Sequence, residues 1–85
     1  MSAGKRPRIE VHSAFELSLL DLMHSEQEEM ARALDRLGGP NEPAGVERVA
    51  GTRRLYRMRT GGWKVLFIRE PDRILLLSLR GRRGQ

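Results

Sequence analysis

The stretch Leu55-Tyr56-Arg57-Met58-Arg59-Thr60-Gly61-Gly62-Trp63-Lys64-Val65-Leu66-Phe67 decides the fold. Apolar and polar residues alternate around Gly61-Gly62, and a period of two belongs to β-strands. Paired glycines supply the positive φ angles that a two-residue hairpin turn demands. The register follows. Thr60 opposes Trp63, Arg59 opposes Lys64, and Arg57 opposes Leu66. Tyr56, Met58, Trp63, Val65 and Phe67 then share an apolar face that must be covered. Arg53, Arg57, Arg59 and Lys64 share the other face.

The neighbouring segments extend this hairpin. Arg73 to Arg80 reads as a third antiparallel strand after a turn at Glu70-Pro71-Asp72. A three-residue turn puts Leu75, Leu77 and Leu79 on the covered side. Ile74, Leu76, Ser78 and Arg80 then join the basic side. A two-residue turn reverses that parity. Val46 to Ala50 is either a short edge strand or an irregular turn, and residues 38–45 read as a loop. Near the start, Arg8 to His12 alternates as a short strand with Ile9 and Val11 inward.

Between the first strand and the loop lie two helical patterns. Ser13-Ala14-Phe15-Glu16 and Ser25-Glu26-Gln27-Glu28 both have the form of a capping box. Phe15, Leu19, Leu22 and Met23 give the first helix its core spacing. Met30, Ala33, Leu34 and Leu37 give the second its stripe. Gly38-Gly39-Pro40 ends it. With only the tight link at His24-Ser25 between them, the helices are expected to form an antiparallel hairpin on one face of the sheet. The expected class is α+β: a short N-terminal strand, a helical hairpin, then antiparallel strands packed on the helices. One domain spans residues 1–85, with 1–6 and 81–85 as flexible tails.

Composition narrows the chemistry. Eighty-five residues hold one thin core and no large cofactor fold. The absence of cysteine excludes disulfides, zinc–thiolate sites, iron–sulfur ligation and a cysteine nucleophile. Two histidines, His12 and His24, are too few for an all-histidine metal site. The longest pure apolar run near the C-terminus, Ile74 to Leu77, is far below the roughly 20 residues of a membrane span. No signal-peptide pattern follows the basic N-terminus, so a cytoplasmic location is expected. Net charge is +5, unevenly spread. Residues 9–45 hold eight acids and two arginines, whereas residues 46–85 hold eleven basic residues and three acids. That asymmetry can present a positive face to a polyanion. The plain alternative is a solvated arginine-rich sheet.

Arg57, Arg59, Lys64 and Arg80 form the candidate site, because three adjacent strands point them the same way. No acid falls among them except Glu70 at a turn. Like charges side by side repel, and a phosphate supplies the missing counter-charge. Tyr56, Trp63 and Phe67 fall on the covered face and read as core rather than as base-stacking aromatics. His12 and His24 read as capping or solvent-facing groups. Ser13 and Ser25 read as caps, and Asp21, Glu26, Glu28 and Glu29 as helix surface.

Residues 55–67, in this order of elements, resemble a motif of the RelE/ParE superfamily of type II toxin–antitoxin toxins. That motif runs Leu-Arg, a small residue, Gly-Asp-Tyr-Arg, then Val and a hydrophobic pair. Here Gly61-Gly62 replaces Gly-Asp, Trp63 stands for the Tyr and Lys64 for the Arg. The likeness extends from Ile9 to Arg80. Its RelE-like branch implies a ribosome-dependent mRNA endonuclease, a hydrolase that binds RNA and inhibits translation. The ribose 2′-hydroxyl attacks the adjacent phosphate, with no metal and no cofactor. Arg59 or Arg57 would position the phosphate. Lys64 would stabilise the transition state, and Arg80 matches an arginine near the end of the last strand. Arg53, Arg54, Arg57, Arg82 and Arg83 would hold RNA. The implied partners are a cognate antitoxin, the ribosome and mRNA. One departure stands out: the tail from Arg80 to Gln85 lacks the Tyr or His that many active relatives use for proton transfer. The ParE-like branch, which inhibits DNA gyrase without nuclease chemistry, fits that departure equally well. A non-catalytic RNA-binding module is the third reading.

Overall fold

A computed structural model describes residues 7–37, 39–40 and 42–81. The elements are β1 (Arg8–Val11), α1 (Ser13–Leu20), α2 (His24–Asp35), β2 (Val46–Arg48), β3 (Leu55–Thr60), β4 (Trp63–Glu70) and β5 (Arg73–Gly81). The strands make one sheet in the order β1-β5-β4-β3-β2. β2 to β5 run antiparallel to their neighbours, and β1 lies parallel to β5. Both helices cover one face, so the class is α+β as the sequence implies. The question over residues 46–50 is settled in favour of a short edge strand, Val46–Arg48. Gly81, expected in the tail, is the last residue of β5; the expectations for residues 1–6, Gly38, Arg82 and Arg83 lie outside the described residues.

The central hairpin has the register that its glycines dictate. Gly61 and Gly62 take φ of 56° and 85°. Thr60 pairs with Trp63, Arg59 with Lys64 and Arg57 with Leu66. Met58, Val65 and Phe67 are fully buried beneath Phe15, Met30, Ala33 and Leu37, with Tyr56 and Trp63 packed at the margin.

The last strand departs from expectation in a specific way. Glu70 pairs with Arg73, so the turn holds two residues, Pro71 and Asp72. The parity of the first half is therefore reversed. Ile74 and Leu76 are buried, whereas Leu75 and Leu77 are only partly covered. A bulge then intervenes: Phe67 pairs with Leu76 while Leu66 pairs with Ser78, leaving Leu77 as the extra residue. One extra residue flips the alternation back. Leu79 is consequently buried, and Arg80 pairs with Lys64 on the open face.

The helix starts also differ. His12, not Ser13, caps α1: its backbone is extended and its Nδ1 accepts the Ala14 N–H at 3.0 Å. Met23, not Ser25, stands at the cap of α2, where the Glu26 carboxylate accepts the Met23 N–H at 3.0 Å. The connection is thus Asp21–Met23, upstream of the expected link. Met23 is 70% exposed and outside the core. The Gln27 side-chain amide donates to the carbonyls of Leu19 and Leu22, tying α2 to the end of α1 and the link after it.

Ion pairs tie the far end of the sheet. Arg73 donates to Glu70 at 2.7 Å and to Glu10 at 2.9 Å, linking β5 to β1. Arg69 donates to Glu42 at 2.6 Å and lies 4.7 Å over the Tyr56 ring. The hydrogen bond from Arg73 holds the Glu70 carboxyl below its ordinary 4.5; burial opposes this, and the charges of Arg73 and Arg54 reinforce it. A carboxyl whose folded pKa is depressed stabilises the fold fully above its unfolded value. That contribution is lost as pH falls through the folded value. Urea midpoints should therefore decline as the pH drops below about 4.5. Glu70→Gln should make that decline shallower, read from denaturation curves between pH 3 and 7.

Candidate functional site

Arg59, Lys64 and Arg80 occupy one rung across β3, β4 and β5. The Gly61–Gly62 turn points the first two away from the helices, and the Leu77 bulge brings the third into line. Strands sit about 4.8 Å apart, so three cationic stems leave the sheet within about 10 Å. All three residues are exposed. Among the described residues no carboxylate lies within 4.0 Å of any of them. Like charges directly opposite each other cost stability. A phosphate group reverses that cost, because it accepts bidentate, charge-assisted hydrogen bonds from guanidinium.

The next rung is different. Arg57 pairs across to Glu47 on β2, with Nη2 to Oε2 at 2.5 Å. The sequence reading found no acid here, and the structure corrects it. Hydrogen bonding from Arg57, then its charge, holds the Glu47 carboxyl below the usual range; burial opposes this and the charge of Arg59 assists. Arg57 keeps its Nε buried and without a partner. Glu47 escaped the sequence reading because a three-residue strand gives too little alternation to assign a face.

Arg53 and Arg54 stand in the bend before β3, at the opposite end of that strand from Arg59. Five residues of extended chain place Arg54 about 16 Å from Arg59. Arg54 is engaged with Glu70 at 2.9 Å. The two are therefore not part of the Arg59–Lys64–Arg80 rung. His12 is committed to its cap, and exposed His24 lies 3.2 Å from Glu28 on α2. Ser13 and Ser25 lie in the first turns of their helices.

A cleft of about 1190 Å³ opens at this end of the sheet. The cationic rung, Trp63, and Ser18 and Asp21 at the end of α1 border it. Such a volume exceeds that of a typical small-molecule pocket, about 300–1,000 Å³, and suits a stretch of polymer. The Trp63 ring lies close against Gly81: a β-carbon there would fall 2.4 Å from the ring. Gly81→Ala should therefore push the indole outward. Trp63 is the sole tryptophan, so its emission reports this alone. A red shift is expected, and unchanged emission would show that the ring does not rest on Gly81.

Among the described residues no cluster of His, Cys, Asp or Glu is arranged to hold a metal ion, and no helix is long and apolar enough to cross a membrane. The arrangement can bind a phosphodiester and neutralise the charge that builds on it during displacement at phosphorus.

No protein-family model and no curated protein matches the chain. Solved structures do match. The archaeal RelE–RelB complex from Pyrococcus horikoshii OT3 aligns with a TM-score of 0.76 at 24% identity, over 93% of this chain and 98% of that one. The RelB–RelE antitoxin–toxin complex from Methanococcus jannaschii aligns at 0.72 and 14%, over 87% and 91%. The isolated E. coli RelE toxin aligns at 0.71 and 12%, over 93% and 87%. At these identities the likeness establishes a shared fold over most of the chain.

Proposed function

We propose that this chain is the toxin of a type II toxin–antitoxin system and cleaves mRNA on the ribosome, in the cytoplasm. The observation that carries the reading is the rung Arg59–Lys64–Arg80, which pairs with no carboxylate among the described residues. A RelE-like fold of 85 residues has little surface to spare, and this sheet spends three adjacent positions on mutually repelling cations. In the proposed reaction Arg59 and Arg80 hold the scissile phosphate, and Lys64 lies between them against the charge that develops in the transition state. The 2′-hydroxyl of the upstream ribose attacks phosphorus, and the 5′-oxygen leaves. The products are a 2′,3′-cyclic phosphate and a 5′-hydroxyl. No step uses a metal ion or cofactor.

The partner side of the proposal draws on the company that the matched folds keep. Two of those structures are complexes of RelE with RelB. A cognate antitoxin that places acidic groups on the rung would occupy the phosphate position and silence the site.

Cell-free translation of a defined message with purified protein, read by primer extension, tests the reading. Discrete cuts that need ribosomes support it. Intact message with unimpaired translation overturns it and directs attention to DNA gyrase supercoiling. Intact message with blocked translation indicates binding without cleavage.

A further inference from the structure

We propose that the cleft beside the cationic rung is a base-recognition subsite: Trp63 stacks on a nucleobase flanking the scissile phosphate, and the Asp21 carboxylate reads the edge of guanine. This rests on the mRNA-cleaving reading above and assigns its sequence preference. The shape of the cleft carries it. Lys64 and Trp63 are neighbours in β4, so their side chains leave opposite faces of the sheet. One cleft borders both, together with Arg59 and Arg80. It therefore curves round the end of the sheet, from the open face to the helix side. Gly61, Gly62 and Gly81 line the bend and bring no side chains to it. A nucleotide whose phosphate sits on the rung can turn its base round that end.

Beyond the bend the lining changes from cationic to apolar and acidic. Leu22, Trp63 and Leu79 supply hydrocarbon, and Ser18 and Asp21 supply polar groups from the end of α1. Leu22 and Leu79 are buried, whereas Trp63 is only partly buried, at the margin of the core. An aromatic ring with part of its surface open accepts any unstacked base, because every base has a π-face. Asp21 is the one acid of this lining among the described residues. Its carboxylate takes no ion pair among them.

The fold does not need that carboxylate. Asp21 closes α1 through its backbone N–H, which donates to the carbonyls of Leu19 and Ser18. A negative charge at a helix C-terminus opposes the helix dipole. A carboxylate also repels phosphate, so within this cleft it suits the other half of a nucleotide, a base that donates. It presents two acceptors side by side. Guanine alone has two adjacent donors on its Watson–Crick edge, N1–H and the 2-amino group. Adenine and cytosine set a donor beside an acceptor, and uracil sets one donor between two acceptors. Unstacked RNA bases are read on that edge.

The test uses the full chain and has two arms. In the first, programmed ribosomes carry messages with guanine, inosine or adenine at the nucleotides flanking the cut. Guanine should be cut about 5–150-fold faster than adenine, the range of one bidentate contact. Inosine, which lacks the 2-amino group, should fall between. Asp21→Asn sets a donor beside an acceptor and should shift the preference from guanine to adenine. Glu29→Gln removes a carboxylate beside the Gly61 turn that does not line the cleft, and should leave the preference unchanged. Trp63→Leu should slow cutting at every base, and Trp63→Tyr should restore it. In the second arm, short oligonucleotides with a 2′-deoxy residue at the scissile position, which cannot be cut, are titrated against the emission of the sole tryptophan. Guanine-containing ones should quench it at about 5–150-fold lower concentration than adenine-containing ones, and Asp21→Asn should close that gap. Equal cutting at guanine and adenine, or an unchanged preference in Asp21→Asn, overturns the subsite and leaves the mRNA-cleaving reading standing. Wild type that never cuts overturns that reading, and the quenching gap then decides the subsite alone: its presence upholds the subsite and its absence overturns it.

Discussion

Arg59→Ala and Lys64→Ala should each lower ribosome-dependent cleavage by about 10²–10³-fold, the usual loss when one donor to a developing oxyanion is removed. Neither change should lower stability. Both side chains are exposed and make no ion pair among the described residues, and each faces another cation across the sheet. Deleting one removes a repulsion, so the urea midpoint should hold or rise slightly. The double variant should lose far less than the product of the single losses, because the rung acts as one unit on one phosphate. Lys64→Arg keeps the positive charge and the reach to phosphate, so ribosome binding should survive in it and cleavage should fall less than in Lys64→Ala. Primer extension gives the cleavage rate and sedimentation gives ribosome occupancy. Cleavage by Lys64→Ala at the wild-type rate would remove the rung from the chemistry.

Arg59 and Lys64 were legible in the sequence because two glycines fix a turn, and a turn fixes a register. Every residue of the 55–67 hairpin sits on the face its alternation requires. Arg80 reached the correct face through two departures that cancel. The turn at residues 71–72 is one residue shorter than expected, and the bulge at Leu77 adds one residue. Nothing in Ile74-Leu75-Leu76-Leu77 could reveal either departure. A continuous apolar run has no alternation, so both parities bury hydrocarbon. Packing decides instead. Ile74, Leu76 and Leu79 join Phe15 and Leu37 in the one buried core. The helix starts were misread for a related reason. A serine near a helix start is ambiguous between the cap and the first turn. At both starts another group satisfies the free N–H: the His12 imidazole in one case and the Glu26 carboxylate in the other. Glu47 was illegible because its face depends on β2, and β2 exists only through its pairing with β3. The candidate site thus divides into a part set by local turn chemistry and a part set by tertiary pairing.

The second large effect should come from the opposite face of the same strand. Phe67→Ala should cost about 3–5 kcal/mol, as expected for emptying a buried aromatic position. Phe67 is 0% exposed in the central strand β4. It pairs with Leu76 beside the bulge and stacks on Tyr56 with ring centroids 5.8 Å apart. The Arg69 guanidinium lies 5.7 Å from its ring and anchors Glu42 from the loop after α2. Removing the ring therefore empties a cavity between sheet and helices and loosens the contact that holds the loop. Domains are stable by about 0.05–0.15 kcal/mol per residue, which for this length gives about 4–13 kcal/mol in all. The substitution should consume a large share of that, and at 37 °C much of the chain should be unfolded. Leu17→Ala is the matched control: Leu17 is 67% exposed on α1, and its loss should change stability by under about 0.5 kcal/mol. A Phe67→Ala loss below about 1 kcal/mol in urea titration would mean that the β4 ring does not support the core. The comparison also separates the two faces of β4. Phe67→Ala should lower cleavage together with the folded signal, whereas Lys64→Ala, three residues earlier on the same strand, should lower it with the fold intact.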